Sequence, residues 1–215
     1  MSTETKFFLG VGIITLIIII VGVLFLGNKN PKQQEFQSTV DQNILLANTR
    51  NSIGDPNAPI KIVEFADLQC SACAVAEPII KEVIEKNKDK VYFVYRHYPL
   101  SNHKNSRLAA KATESAASQG KFWEMQDLIF KNQSEWAEGP KAQEIFENYS
   151  KQLGLDVEKF KQDLDKFNNQ INQDYADGNK LGVDSTPTFF INGQKSTGSM
   201  SYEQFQKLIN QAATQ

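Results

Sequence analysis

Cysteine is nearly absent from this chain. Its 215 residues include only Cys70 and Cys73. A disulfide-stapled scaffold needs several spaced pairs, so that class is excluded. A bridge across so short a loop would also restrict the unfolded chain too little to act as a staple. Histidine is as scarce, with only His97 and His103 present. Their bland reading is packing or hydrogen bonding near the end of a strand. A zinc site built from both cysteines and both imidazoles is the weaker alternative, because zinc ligands usually sit closer together in sequence. Excess charge of one sign is missing too. The formal net charge is −2 and no Lys/Arg stripe stands out. A nucleic-acid partner is therefore not expected, since phosphates demand clustered cations. No internal repeat is visible.

One long apolar run is present, over residues 7–26, without a charge. About twenty residues at about 1.5 Å each cross a hydrocarbon core about 30 Å thick. The run is too long for the apolar part of a cleaved signal peptide, and no A-x-A cleavage pattern follows it. It reads as an uncleaved signal anchor behind a short tail at 1–6. Lys6 precedes the run and Lys29 and Lys32 follow it. Charge alone would thus not send the C-terminal bulk outward, but long following domains translocate largely regardless of charge. A single dithiol pair also suits an oxidising compartment. The expected location is the cell membrane, single-pass, with the domain on the extracytoplasmic side.

A polar stretch rich in Asn, Gln and Lys reads as a linker over 27–52. Within it, 43–47 is open between helix and strand. The turn formers Gly54-Asp55-Pro56-Asn57-Ala58-Pro59 open a folded domain at 53–215. Residues 61–66 and 91–96 have strand composition. Between them 72–88 has helical spacing, with Pro78 inside it. Strand, helix and strand at this length make a βαβ unit. A helical block follows over about 105–178. Its last helix is expected to start at Asp156 as N-cap and to run unbroken through Val157, Phe160, Leu164, Phe167 and Ile171. The end returns to β structure. Strands at 188–191 and 194–197 flank Asn192-Gly193, a strong two-residue hairpin signal. Ser201 and Gln204 fit a capping box for a closing helix.

The cysteines come directly after the first strand, so Cys70 falls where a helix begins. Unpaired backbone N–H groups and the helix dipole stabilise a thiolate there. The thiolate is the form that attacks disulfides. Cys73, one turn deeper, is expected to be buried and to resolve a mixed disulfide. This assigns Cys70 as attacker and Cys73 as resolver.

The stretch Glu64-Phe65-Ala66-Asp67-Leu68-Gln69-Cys70-Ser71-Ala72-Cys73 resembles the DsbA-like branch of the thioredoxin superfamily. So do Thr186-Pro187-Thr188-Phe189-Phe190-Ile191-Asn192-Gly193, Tyr95-Arg96-His97-Tyr98-Pro99-Leu100 and Gly120-Lys121-Phe122-Trp123. The likeness runs from about residue 53 to the C-terminus. It implies an α/β thioredoxin fold, βαβ plus ββα, with an inserted helical domain. It also implies that Pro187 is cis and holds the Thr186 backbone beside the cysteines, where a substrate strand can pair with it. Glu64 matches the family's buried carboxylate, which would shuttle the proton of Cys73. Asp67, nearer the turn, is read only as a helix cap. No cofactor is implied beyond the redox-active Cys70–Cys73 disulfide.

The chain departs from the family pattern at one place. Strong oxidants of this type carry Pro-His between the cysteines, whereas this chain has Ser71-Ala72. With no imidazole to stabilise the thiolate, a weaker oxidant is expected. The leading function is disulfide formation in extracytoplasmic proteins through transient mixed disulfides. The resemblance further implies reoxidation by a quinone-linked membrane partner. Competing readings are a membrane-anchored reductase or isomerase, a binding or chaperone module with a structural CxxC, and a metal-binding domain.

Overall fold

The structure is a computed structural model that describes Val40 and residues 42–214. The tail at 1–6, the apolar run at 7–26 and most of the linker lie outside the described residues. So does the membrane anchor expected there. Among the described residues no helix is long and apolar enough to cross a membrane.

A mixed sheet forms the centre. Its strands are β1 (Asn51–Ile53), β2 (Ile60–Ala66), β3 (Val91–His97), β4 (Thr188–Ile191) and β5 (Gln194–Thr197), in the order β1-β3-β2-β4-β5. β2 and β3 run parallel, joined by helix α2 (Ser71–Lys86), which is the expected βαβ unit. β4 pairs antiparallel with β2 and with β5. The β4–β5 turn has positive φ at both Asn192 (46°) and Gly193 (83°), as an Asn-Gly hairpin requires. The closing helix (Tyr202–Ala212) carries the full capping box of Ser201 and Gln204. Together these elements make the thioredoxin-like α/β architecture.

Side-chain alternation along the strands divides the interior in two. Ile60, Ile62 and Ala66 of β2 join Val91, Phe93 and Tyr95 of β3 in a cluster under α2, where Cys73, Ala76, Ile80 and Val83 meet them. Val63 and Phe65 point the other way, with Tyr92, Val94, Tyr98 and Phe190. Glu64 has the parity of Ile62 and Ala66, so strand geometry alone places it beneath α2.

The helical block begins with α3 (Ser106–Ala117), whose Ala109, Ala110, Ala112 and Ala116 are buried so that neighbours approach closely. It packs on α4 (Phe122–Lys131), α6 (Ala142–Gln152) and α7 (Val157–Asp163). A one-turn helix, α5 (Gln133–Trp136), sits between α4 and α6; it is too short to show a period in sequence. Asp156 caps α7 by accepting from the Lys159 amide.

Two expectations need correction. The helix from Val157 does not run on to Ile171. The chain turns at 164–167 and restarts as α8 (Asn168–Lys180). The Asp163 carboxylate is drawn toward α3 by the Ser118 hydroxyl and bridged by Lys159 and Lys166. The Lys166 amide folds back on the Asp163 carbonyl. The linker also ends before residue 52. A short helix, α1 (Gln42–Leu46), buries Leu45, and β1 adds an edge strand antiparallel to β3. Asn51 is held in that strand by its side chain, whose Nδ2 donates to buried Glu114 at 2.7 Å. A polar strand fixed by such contacts carries no hydrophobic period.

Gly178 of α8 lies against Tyr98 and Phe65. A Cβ there would stand 2.7 Å from Tyr98 Cδ2 and 3.1 Å from Phe65 Cδ1. Tyr98 has little room to yield, because its hydroxyl is 2.6 Å from both Asn179 Oδ1 and the Val183 carbonyl. Gly178→Ala is expected to lower stability by about 1–3 kcal/mol from overpacking. Set against a gain of about 1 kcal/mol in helix propensity, the net loss is about 1 kcal/mol. Urea denaturation checks this; a midpoint at or above wild type would contradict it.

Candidate functional site

The site forms where β2 ends and α2 begins. Cys70 is the N-cap of α2, with extended φ −72° and ψ 122°. Its amide donates to the Asp67 carbonyl and its own carbonyl accepts from Ala74. Because β4 pairs with β2 at Phe65↔Thr188, the residues before β4 arrive beside the end of β2. The Thr186–Pro187 peptide bond there is cis. Cys70 Sγ lies 3.4 Å from the Thr186 carbonyl oxygen, to which the thiol donates. The four residues Cys70, Cys73, Thr186 and Pro187, distant in sequence, are thus brought together.

Both cysteines are thiols, and their surroundings differ. Cys70 is part-exposed. A hydrogen bond from the Cys73 thiol, then the nearby Thr186 side chain and the backbone N–H groups of Cys73 and Ala72, lower its pKa to about 5, against an opposing cost of burial. Cys73 is 1% exposed. Burial pushes its thiol well up, helped by its hydrogen bond to Cys70 and by the nearby Glu64 carboxyl. Cys70 is therefore the sulfur that ionises readily, and Cys73 the one that keeps its proton.

Glu64 is 3% exposed beneath this pair. Burial raises its pKa well above the carboxylate range, with Glu77 and Cys70 adding to the effect. Its Oε2 has no hydrogen-bond partner. A carboxyl with a raised folded pKa stabilises the fold below the unfolded value, about 4.3. That contribution is lost as pH climbs through the folded value. Glu64→Gln cannot ionise, so it should gain stability over wild type at neutral pH, on the order of 1 kcal/mol. The gain should vanish in acid below about pH 4. Unfolding free energies at the two pH values test this, and a difference that grows in acid would refute it.

Asp67 does much more than cap a helix. One carboxylate oxygen accepts from the Gln69 amide and the Ser106 hydroxyl; the other accepts from the Leu100 amide and pairs with His103 Nδ1 at 2.7 Å. It ties the loop before Cys70 to the loop after β3. His103 is accounted for by that bond, and His97 by its contact with Glu114 at 3.1 Å. Among the described residues, no group of three or more His, Cys, Asp or Glu side chains is placed to hold a metal ion.

Sequence reasoning missed a set of amides around the turn. Gln69 Nε2 donates to the Ala137 carbonyl, and its Oε1 accepts from the Asn105 amide. Asn105 Nδ2 reaches the carbonyls of Trp136, Ala137 and Gly139. Gln133 Nε2 donates to the carbonyls of Leu68 and Cys70. No spacing rule signals such residues, because their partners are backbone atoms of other elements.

The family model described as Thioredoxin matches residues 47–211. A solved thioredoxin-like oxidoreductase from Silicibacter pomeroyi has TM-score 0.70 and 24% identity, covering 82% of this chain and 99% of that one. Oxidised BdbD from Bacillus subtilis has TM-score 0.68 and 26% identity, covering 76% and 92%. Alpha-DsbA1 from Wolbachia pipientis has TM-score 0.70 and 24% identity, covering 79% and 92%. Among curated proteins, the Na(+)/H(+) antiporter NhaA 1 of Mycobacterium sp. (strain KMS) is 38% identical over 152 residues, and NhaA 3 of Salinispora tropica 36% over 153. Those matches take in 67% and 70% of this chain but only 24% and 22% of the antiporters. The chain spans about a quarter of the length of these relatives, and the transport in their names is said of them. With the mixed sheet, the CxxC at the start of α2 and the matched span of 47–211, the chain belongs to the thioredoxin family.

Proposed function

We propose that the protein is a thiol–disulfide oxidoreductase of the DsbA type that forms disulfides in extracytoplasmic proteins. The observation that carries this is the contrast within the pair. Cys70 sits at a helix start, lowered to about 5, against a carbonyl that can receive a peptide, while Cys73 is buried and protonated. A low thiol pKa makes a good leaving group and favours the reduced form of the pair, which makes the disulfide form an oxidant. A value of about 5 falls between about 3.5 for the strongest oxidants and about 7 for thioredoxin.

The cycle balances as follows. A substrate thiolate attacks Sγ of Cys70 in the Cys70–Cys73 disulfide. A mixed disulfide forms, and the Cys73 sulfur leaves, taking a proton from Glu64. A second substrate thiolate then attacks the substrate sulfur of the mixed disulfide and expels Cys70 as thiolate. The substrate loses two electrons and the pair gains them. The Thr186 backbone, fixed by Pro187, pairs with the extended substrate. A quinone-linked membrane partner takes the electrons back, and the apolar run at 7–26 anchors the domain on the extracytoplasmic side.

The test is a trap. Cys73→Ala cannot resolve a mixed disulfide, so the full-length variant should accumulate covalent adducts on Cys70 that reductant releases. Adducts carried by extracytoplasmic proteins are the expected result; an empty trap with the fold intact would remove this reading.

A further inference from the structure

The backbone turn that presents Cys70 is gripped by a side chain from the helical insertion. Gln133, the first residue of α5, sends both bonds of its Nε2 to that turn: 2.7 Å to the Leu68 carbonyl and 3.0 Å to the Cys70 carbonyl. The Cys70 carbonyl also accepts the first amide of α2, from Ala74 at 3.1 Å, so Gln133 fills its second lone pair. α5 is itself tied to the same loop. Asn105 holds the Trp136 and Ala137 carbonyls, and Gln69, next to Cys70, holds the Ala137 carbonyl. A one-turn helix this short has no reason of its own to persist. Its placement makes sense as a mount for Gln133.

We propose that Gln133 is a positioning residue for the redox pair: its amide fixes the strand–helix turn from the side of the insertion and keeps the Cys70 sulfur aimed at the Thr186 carbonyl. This rests on the oxidoreductase reading above and adds a residue to it. The physics has two parts. Two hydrogen bonds to carbonyls two residues apart, Leu68 and Cys70, restrict the turn's backbone, and pre-organised groups at a site avoid reorganisation during reaction. The carbonyl of Cys70 also carries a partial negative charge close to its own sulfur. An amide hydrogen bonded to that oxygen reduces its repulsion of a thiolate. Gln133 therefore favours the charged sulfur without touching it.

Three variants separate positioning from mere packing. Gln133→Met keeps the length and loses the donors. Gln133→Glu keeps the shape and places acceptors against the two carbonyls. Gln133→Lys restores a donor of similar reach. The other ionisable groups around this turn remain in all three: Cys73 and Glu77 on α2, Glu64 beneath it, Asp67 within it, His103 on Asp67, and Glu138 on Gln69. The readout is the ultraviolet thiolate titration of the reduced protein, with thermal unfolding to confirm the fold. Gln133→Met should raise the Cys70 midpoint by about half to one pH unit, the size of one hydrogen bond. Gln133→Glu should raise it at least as far, and Gln133→Lys should bring it back to the wild-type value or below. A midpoint unmoved in Gln133→Met overturns the proposal whatever the charged variants do, since their charges alone shift a nearby thiolate, and so does one moved equally in all three. Titration needs no substrate, so the result stands apart from the trapping experiment. A failed trap with a shifted midpoint removes the reaction and keeps the clasp; a working trap with unmoved midpoints does the reverse.

Discussion

Replacing Cys70 by serine is expected to abolish catalysed disulfide exchange, with a loss on the order of a thousandfold or more. Serine presents an alcohol at the helix start, and no hydrogen bonding at that spot brings a hydroxyl near ionisation at neutral pH. Cys73 cannot take over. It is closed off from solvent and its thiol is held protonated by burial, so it is both unreachable and poorly nucleophilic. The wild-type thiol gives a matching pH signature. Alkylation of reduced Cys70 should rise to half its plateau at about pH 5 and stay flat through neutrality. The sign for stability follows from the same shift. A thiol lowered in the folded state contributes stability above the unfolded value, about 8.5. That contribution fades as pH falls through about 5. Reduced protein should therefore gain on oxidised protein as pH climbs between those values. Retained exchange in Cys70→Ser, or an alkylation midpoint near that of a free thiol, would count decisively against the assignment.

The second large effect lies on the opposite face of the sheet. Arg96 is 1% exposed on β3. Its Nε donates to Asp174 at 2.6 Å and its Nη2 to Asp177 at 2.8 Å, while Nη1 reaches the carbonyls of Leu45 and Ala47. One guanidinium thus pins both α8 and α1 to the sheet. Arg96→Leu removes the charge and leaves two carboxylates in place. Breaking one side of a buried ion pair costs about 3–5 kcal/mol. Arg50, which also touches Asp174 at 2.8 Å, compensates only in part. Arg96→Lys should also lose stability, because a point charge cannot serve four acceptors held in a planar fork. Adding Asp174→Asn and Asp177→Asn to Arg96→Leu should restore part of the loss, since the uncompensated charges are then gone. Urea unfolding measures all of these. A loss under about 1 kcal/mol for Arg96→Leu would show that the cluster is not holding the helices. The Cys70 titration in a folded Arg96→Lys protein should stay where it is, because the sheet stands between the two clusters.

Elements set by neighbours in sequence were legible from the sequence, and those set by distant partners were not. The βαβ unit, the Asn192-Gly193 hairpin and the Ser201 capping box each depend on a few adjacent residues. β1 could not be read, because Asn51 is held by Glu114, and the break after Asp163 depends on Ser118 of another helix. The site divides along the same line. Cys70 and Cys73 are recognisable by spacing, whereas Thr186-Pro187 and Glu64 were legible through the family resemblance; strand parity adds only that Glu64 faces α2. The role of Asp67 as a four-way acceptor depends on Leu100, His103 and Ser106, which only the folded chain brings near.

The contact between Cys70 Sγ and the Thr186 carbonyl depends on the sulfur's proton. As a thiol, Cys70 occupies that oxygen with its own hydrogen; as a thiolate it has none to offer. Losing the proton therefore vacates an acceptor at the same moment that it arms the sulfur. In the reduced protein, a single ionisation therefore both charges the Cys70 sulfur and frees the Thr186 oxygen for another donor.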